Sequence, residues 1–169
     1  QLEISGNPAL KPDWLSASYV FQLTEFDRDL TGLTGSNRIT GSRLHLEPQL
    51  TTTYRNASGY IKPTIKFWYS QYTLNNQLNG LGDSPSISVP VISIDSGLFF
   101  DRDFSLFNNP YQQTLEPRLY ALYVPEQDHS SIPNFDTTAY SFDYASLFRS
   151  NRFSGYDRIG DTQQLSLGV

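Results

Sequence analysis

Apolar and polar residues alternate along most of this chain with a period of two, the period at which a strand sends successive side chains to opposite faces. Leu15, Ala17, Tyr19, Phe21 and Leu23 share one face against Ser16, Ser18, Gln22 and Thr24, with Val20 the exception. Leu44, Leu46, Pro48 and Leu50 oppose Arg43, His45, Glu47, Gln49 and Thr51. Ile61, Pro63, Ile65, Phe67 and Tyr69 oppose Lys62, Thr64, Lys66 and Ser70, with Trp68 the large residue on the polar side. Ile92, Ile94, Leu98 and Phe100 oppose Ser93, Asp95, Gly97 and Asp101, and Leu115, Pro117, Leu119, Ala121 and Tyr123 oppose Thr114, Glu116, Arg118 and Tyr120. These runs predict strands over about 10–25, 39–54, 60–74, 86–103, 111–124 and 162–169, with residues 1–4 the tail of an earlier one. The expectation is an all-β, antiparallel chain of about seven strand pieces and no long helix. Gln1 is no initiator and Leu165, Leu167 and Val169 stop in mid-alternation, which predicts a piece of something larger.

Four tripeptides punctuate the runs: Leu10-Lys11-Pro12, Leu46-Glu47-Pro48, Ile61-Lys62-Pro63 and Leu115-Glu116-Pro117. Each sets an aliphatic residue and a proline on one face and a charge on the other, and proline's missing donor predicts strand beginnings for them. The connections alternate in length. Ser5-Gly6-Asn7-Pro8, Asn56-Ala57-Ser58-Gly59 and Asn108-Asn109-Pro110 are tight-turn chemistry, whereas 26–38, 75–85 and 125–161 are long. Placing Arg55 opposite Tyr60 brings Leu50 to Ile65, Pro48 to Phe67 and Leu46 to Tyr69 on one face, and Thr53 to Lys62 on the other. The register of 86–103 against 111–124 stays open.

A charged face backing an apolar one, with short turns at one end and long loops at the other, predicts an up-and-down transmembrane β-barrel segment with long extracellular loops. Soluble sandwiches alternate in the same way, but their strands are usually about 5–6 residues. A tilted membrane strand needs about 9–11, and several runs here are longer. Trp14, Trp68, Tyr69, Tyr72 and Tyr123 near strand ends suit interfacial girdles.

Composition sharpens this. Aromatics reach 14% while charged residues make up only 17% and the net charge is −5, an acidic balance that argues against nucleic acid as partner. There is no cysteine or methionine, so neither a disulfide nor a thiolate metal site arises from this chain, and no apolar run approaches the roughly 20 residues of a spanning helix. Only His45 and His129 exist, and no catalytic constellation forms around them. Asp27-Arg28-Asp29 and Asp101-Arg102-Asp103 lack the ligand number that calcium requires and read as solvated strand ends; Asn56-Ala57-Ser58 reads as a turn. No catalytic residue, metal or cofactor is expected. The charges on the polar faces, Arg43, Glu47, Lys62, Lys66, Asp95, Asp101, Glu116 and Arg118, predict a hydrated lumen wall whose cations suit the phosphorylated headgroup of an amphiphile.

The 37-residue segment 125–161 carries Phe135, Tyr140, Phe142, Tyr144, Phe148, Phe153 and Tyr156, too much apolar surface to leave in water. It must pack on the lumen wall, on a plug protein or on neighbouring loops. Ser141 is expected to cap a short helix running to about Arg149, with Phe142, Ala145 and Phe148 on one side.

The stretch Leu115-Glu116-Pro117-Arg118-Leu119-Tyr120-Ala121-Leu122-Tyr123-Val124-Pro125 resembles the barrel domain of the LptD family of outer-membrane lipopolysaccharide-assembly proteins. So do Ile132-Pro133-Asn134-Phe135-Asp136-Thr137, the segment from Leu147 to Gly155, Asp157-Arg158-Ile159-Gly160-Asp161, Arg43-Leu44-His45-Leu46-Glu47-Pro48 and Phe99-Phe100-Asp101-Arg102-Asp103. The resemblance implies the middle of a very large barrel in the Gram-negative outer membrane. It would receive lipopolysaccharide from a periplasmic bridge and release it into the outer leaflet, in contact with outer-membrane lipid. It implies an LptE-type lipoprotein plug, toward which 125–161 would reach from the extracellular side. The candidate contacts are Phe135, Tyr140, Phe142, Tyr144, Phe148, Arg149, Arg152 and Phe153. The family's periplasmic domain, disulfide-forming cysteines and lateral gate have no counterpart here, so gate and bridge roles transfer to no residue. The alternatives are a soluble extracellular β-domain that binds glycans through its aromatics, and an outer-membrane barrel enzyme such as a lipase or protease.

Overall fold

Ten strands organise the computed structural model, which describes residues 1–78 and 80–169; Asn79, in the connection expected over 75–85, lies outside the described residues. They are β1 (Leu2–Gly6), β2 (Leu15–Phe26), β3 (Thr40–Thr52), β4 (Tyr54–Asn56), β5 (Gly59–Asn75), β6 (Ser86–Leu98), β7 (Phe100–Leu106), β8 (Asn109–Leu115), β9 (Arg118–Val124) and β10 (Thr162–Gly168). The main sheet runs β1-β2-β3-β5-β6-β9-β10, with β4 also on β5, and every pairing is antiparallel. Each run therefore lies beside its neighbour in sequence, a meander.

The register of β3 and β4 on β5 keeps both faces in phase: Leu46 opposes Tyr69, Leu50 opposes Ile65 and Arg55 opposes Tyr60. The second pairing, open from sequence, is now defined. It runs from Ile92 opposite Tyr123 to Gly97 opposite Arg118, then continues without a slip from Phe100 opposite Leu115 to Leu106 opposite Asn109. Its turn is Phe107 and Asn108, at φ 51° and 63°, one residue earlier than the Asn108-Asn109-Pro110 expected. Two left-handed residues match the right-handed twist of the flanking strands.

Several expectations are corrected. The strand expected from 10 begins at Leu15, because residues 7–14 form the connection from β1 and the Leu15 amide donates to the Pro12 carbonyl at 2.9 Å. The runs expected over 86–103 and 111–124 each split in two. Pro117 has no N–H to donate, and around it β7 and β8 leave the main sheet as a separate two-stranded hairpin. Thr53 separates β3 from β4 and donates its amide to Trp14 O at 2.7 Å. Pro48 does not begin a strand but sits well inside β3, where the ladder to β5 skips from Leu46 to Gln49. Trp68 and Tyr72 belong to no girdle, since both are buried on the polar-side face that parity assigns them.

The core lies on that face alone. Trp68, Tyr72 and Leu74 of β5, Ile87, Val89 and Val91 of β6, and Tyr120, Leu122 and Val124 of β9 are covered by Ile132 and Ile159 from 125–161, with Phe135, Phe148 and Tyr156 packed alongside. In β6 the apolar phase changes side at Val91-Ile92: Ile87, Val89 and Val91 face the loop, whereas Ile92, Ile94 and Leu98 face away. The opposite face is bare. Leu46, Leu50, Ile65, Phe67, Ile92 and Leu119 are exposed, Ile65 to 59%, so Leu46, Ile65 and Leu119 do not converge into a sandwich centre.

Gly41 joins β3 to both neighbours at φ 149°, and a Cβ there would collide with the Thr73 carbonyl oxygen and lie 2.9 Å from Leu74 Cα. Gly41→Ala is expected to cost at least about 1 kcal/mol. Hydrogen exchange should quicken at Leu74 and leave Ile65 protected; equal protection at both would contradict the steric account.

Candidate functional site

Arginine on an alternating strand normally keeps its head in water. Arg43, on the loop-facing side of β3, has a side chain that is 0% exposed. Its Nη2 donates to Asp136 Oδ2 at 2.6 Å and to Gln22 Oε1 of β2 at 2.9 Å, and its Nη1 donates to Asp136 Oδ1 at 2.9 Å and Asp157 Oδ1 at 2.5 Å. Asp157 is equally buried and holds the loop together from within. Its Oδ2 accepts from the amides of Phe135 and Asp136 at 2.7 and 3.0 Å, its Oδ1 also accepts from the Tyr72 hydroxyl at 2.9 Å, and its own amide donates to Thr137 Oγ1 at 3.1 Å. Gly155, at φ 64°, lets the chain pass Asp136, since a Cβ there would stand 2.5 Å from Asp136 Oδ1.

Aromatic rings close the site. The Arg43 guanidinium lies 5.1 Å from the Phe26 ring centre and 5.4 Å from that of Tyr156, Phe26 stacks on Phe135 at 4.2 Å, and Tyr156 stacks on His45 at 3.9 Å. Burial by itself raises the Asp136 carboxyl, but the hydrogen bonds and charge of Arg43 outweigh it and hold the group below the usual aspartate range. Its share of the latch is therefore complete above the ordinary aspartate pKa and is lost only as pH falls through the lowered value. Nothing in this set resembles a nucleophile with its base. It is a latch that fixes a loop to a sheet.

The polar-face candidates separate by place. Arg43 is dry, not the hydrated wall residue expected of it. Glu47 and Lys66 pair at 2.9 Å beneath the loop, and Lys66 reaches Ser150 Oγ at 3.4 Å. Further along, Arg118 holds Asp95 through two bonds of 2.9 and 2.7 Å and lies 4.1 Å from the Phe148 ring centre. Lys62, opposite Asp95 in register, and Glu116, between β8 and β9, are exposed.

The loop candidates separate likewise. Phe135 and Phe148 are consumed inward and Phe153 is half-buried beside the Ala139 bridge, whereas Tyr140, Phe142 and Tyr144 are exposed, Phe142 to 82%. Tyr140, Phe142, Arg149 and Arg152 line an open cleft of about 750 Å³ against β10. The expected short helix is a single 3-10 stretch, Tyr144–Phe148, capped by Asp143 and not Ser141: Asp143 accepts from the Ser146 amide while Ser146 Oγ accepts from the Asp143 amide. Sequence reasoning did not pair Asp157, Asp136, Gln22, Tyr72 and Tyr156 with Arg43. The available signal was that two of the quoted motifs, 132–137 and 157–161, carry aspartates, one and two respectively.

A main antiparallel sheet, covered on one face by its own latched loop and bare on the other, defines an all-β protein whose described residues form no sandwich. The model of the LptD family, LPS transport system D, matches residues 1–169. The chain is 41% identical over 198 residues to the LPS-assembly protein LptD of Pseudomonas syringae pv. tomato, covering 100% of this chain and 21% of that protein. Similarity is comparable to the LPS-assembly proteins LptD of Pseudomonas aeruginosa strain UCBPP-PA14, 39% over 197 residues with 100% and 21% covered, and of Pseudomonas fluorescens, 36% over 219 residues with 100% and 23% covered. This chain belongs to the LptD family. It spans about a fifth of the length of the curated relatives it matches.

Replacing Asp157 with alanine should cost roughly 3 kcal/mol, the lower end of the range for breaking a buried pair, because Asp136 remains on Arg43. Limited proteolysis would then cut within 125–161 while the strands stay protected. Adding Arg43→Met to that variant should restore part of the protection by removing the stranded charge; no recovery would count against the latch.

Proposed function

We propose that this chain is a middle stretch of the barrel wall of a Gram-negative outer-membrane lipopolysaccharide-assembly protein. In this reading the sheet closes with strands outside the chain, and the bare face meets the bilayer. The closed barrel receives lipopolysaccharide from a periplasmic bridge and delivers it to the outer leaflet. The observation that carries the reading is the bare apolar face, continuous across β2, β3, β5, β6 and β9, on strands of 12, 13, 17 and 13 residues for β2, β3, β5 and β6. A tilted strand needs only about 9–11 residues to cross. Water would penalise such a surface; acyl chains do not.

The role is that of wall and lid, not of an enzyme. The latched segment 125–161 narrows the mouth at the long-connection end, which becomes the extracellular side. Lys62, Lys66, Asp95, Glu116, Arg118 and Glu47 line or border the lumen, and the exposed Tyr140, Phe142 and Tyr144, with Arg149 and Arg152, are the surface offered to an LptE-type plug. The other candidates of the loop serve inward: Phe135 and Phe148 hold it against the sheet. The polar side supplies cations already paired to carboxylates, Lys66 to Glu47 and Arg118 to Asp95, which suits a passage that must release an anionic amphiphile and not retain it.

In the full-length protein, Ile65→Arg should impair folding into lipid by roughly 2–4 kcal/mol if Ile65 lies near the bilayer midplane. Heat-modifiable gel mobility after refolding into vesicles reads this out, and wild-type yield would sink the lipid-facing assignment. Asp157→Ala should instead fold normally into the membrane but admit large apolar antibiotics to cells that exclude them with the parent protein. Unchanged exclusion would remove the lid role and leave the wall intact.

A further inference from the structure

The hairpin β7–β8 stands apart from the main sheet as a two-stranded sheet of its own. All fourteen of its strand residues are exposed, and its seven rungs from Phe100 opposite Leu115 to Leu106 opposite Asn109 extend about 20 Å at about 3.4 Å per residue. It leaves the sheet at the end of the short connections, opposite to the end closed by 125–161. Its two faces differ. Phe100, Phe104, Leu106, Tyr111 and Leu115 share one, with Phe104 stacked on Tyr111 at 5.6 Å; Asp101, Asp103, Gln112 and Thr114 share the other.

Parity ties the apolar side to the bare face of the wall. Register runs unslipped from β6–β9 into β7–β8, and Leu98 donates its amide to Pro117 O at 3.0 Å across the break, so Phe100 and Phe104 continue the side of Ile92, Ile94 and Leu98. Yet β6 alone, at 13 residues, exceeds the length that crosses the hydrocarbon. Trp14 and Tyr54, stacked at 5.8 Å and both exposed at this end of the sheet, mark where the apolar belt stops. The hairpin therefore stands beyond the hydrocarbon with an apolar side turned the same way.

Two details say what covers it. Arg102 lies within the apolar side, 5.8 Å from the Phe104 ring centre and bonded to Gln113 Oε1 at 2.6 Å, so a guanidinium stands beside an aromatic ring with both acids of the strand on the opposite face. Phe107 holds the turn at φ 51°, a conformation that a bulky residue rarely takes, and is 89% exposed. A cation among aromatics at a boundary between acyl chains and water is the arrangement that pairs with lipid phosphate.

We propose that β7–β8 turns outward at the Phe99 and Pro117 break and lies along the phospholipid headgroup layer of the leaflet on the short-connection side, its apolar side toward the bilayer, with Phe104, Tyr111 and Phe107 seated at the acyl boundary and Arg102 on a headgroup phosphate. The inference rests on the wall reading, and the experiment separates the two. A photoreactive benzophenone amino acid replaces Phe107, Asp103 or Ile65 in the full-length protein, refolded into vesicles of phosphatidylethanolamine and phosphatidylglycerol, with folding scored by gel mobility. After irradiation, Phe107 should give phospholipid adducts several-fold above Asp103, and Ile65 should give them as well. Arg102→Glu should lower the Phe107 adduct several-fold and leave that of Ile65 unchanged. Adducts at Ile65 without adducts at Phe107, or only protein adducts at Phe107, overturn the hairpin assignment alone. Adducts at neither overturn the wall reading with it, and indifference to Arg102→Glu overturns the phosphate contact.

Discussion

Arg43 has no water to fall back on. A guanidinium sealed between sheet and loop costs several kcal/mol of lost hydration, which only well-placed carboxylates offset. Asp157 and Asp136 come from the two halves of one loop, and the same Asp157 carboxylate binds the amides of Phe135 and Asp136. The ion pair therefore folds the loop onto itself and onto the sheet in one step. Burial of Phe135, Phe148 and Tyr156 is non-directional and would favour many docked arrangements. Four hydrogen bonds of fixed geometry to one carboxylate select a single one. Specificity of position, more than net stability, is what such a pair supplies, and Arg43 Nε is left without a partner in the process.

The rest of the covered face follows from where the latch brings the loop. At the long-connection end the loop lies over Ile87, Val89, Leu122 and Val124, so the covered face is apolar along β6 and β9 there; toward the other end of those strands Asp95 and Arg118 take over. The bare face shows no such change along β5, where Ile61, Ile65 and Phe67 are all exposed. The covering of this sheet is thus set by the loop, apolar over β6 and β9 and charged over Arg43 of β3.

Period-two alternation made the strands legible, and the β3–β5 register with them, because a one-residue slip would carry Leu46, Leu50 and Ile65 to the charged side. The same parity placed Trp68 and Tyr72 on the covered face; expecting a girdle from their size alone ran against it. The phase change at Val91-Ile92 shows as two adjacent apolar residues and falls where β9 joins β6, which β5 pairs along its whole length. The turn of the second hairpin was harder to read, since Phe107-Asn108 lacks the glycine that usually announces two left-handed residues. The latch was out of reach for a different reason. Arg43 and Asp157 stand 114 residues apart, and no periodicity relates a loop carboxylate to the strand cation it will meet. Asp143 outcompeted Ser141 as the cap because the reciprocal bond with Ser146 needs a separation of three.

Apolar surface is treated in opposite ways at the two ends of this sheet. At one end the chain folds 37 of its residues over it and fixes them with a buried salt bridge; at the other it carries the surface on, past Trp14 and Tyr54, along a hairpin with nothing of its own over it. In uniform water both ends would meet the same penalty, and the hairpin's Phe104, Leu106 and Phe107 would be as costly as a bare Val89. In the wall reading proposed above, the asymmetry follows from layered surroundings: water on the covered side calls for the loop and its charges, acyl chains on the bare side call for none, and the boundary between the two accepts an edge that is aromatic on one face and acidic on the other. Arg102, exposed on the aromatic face of that edge, is there turned toward anions that the acids of the opposite face do not supply.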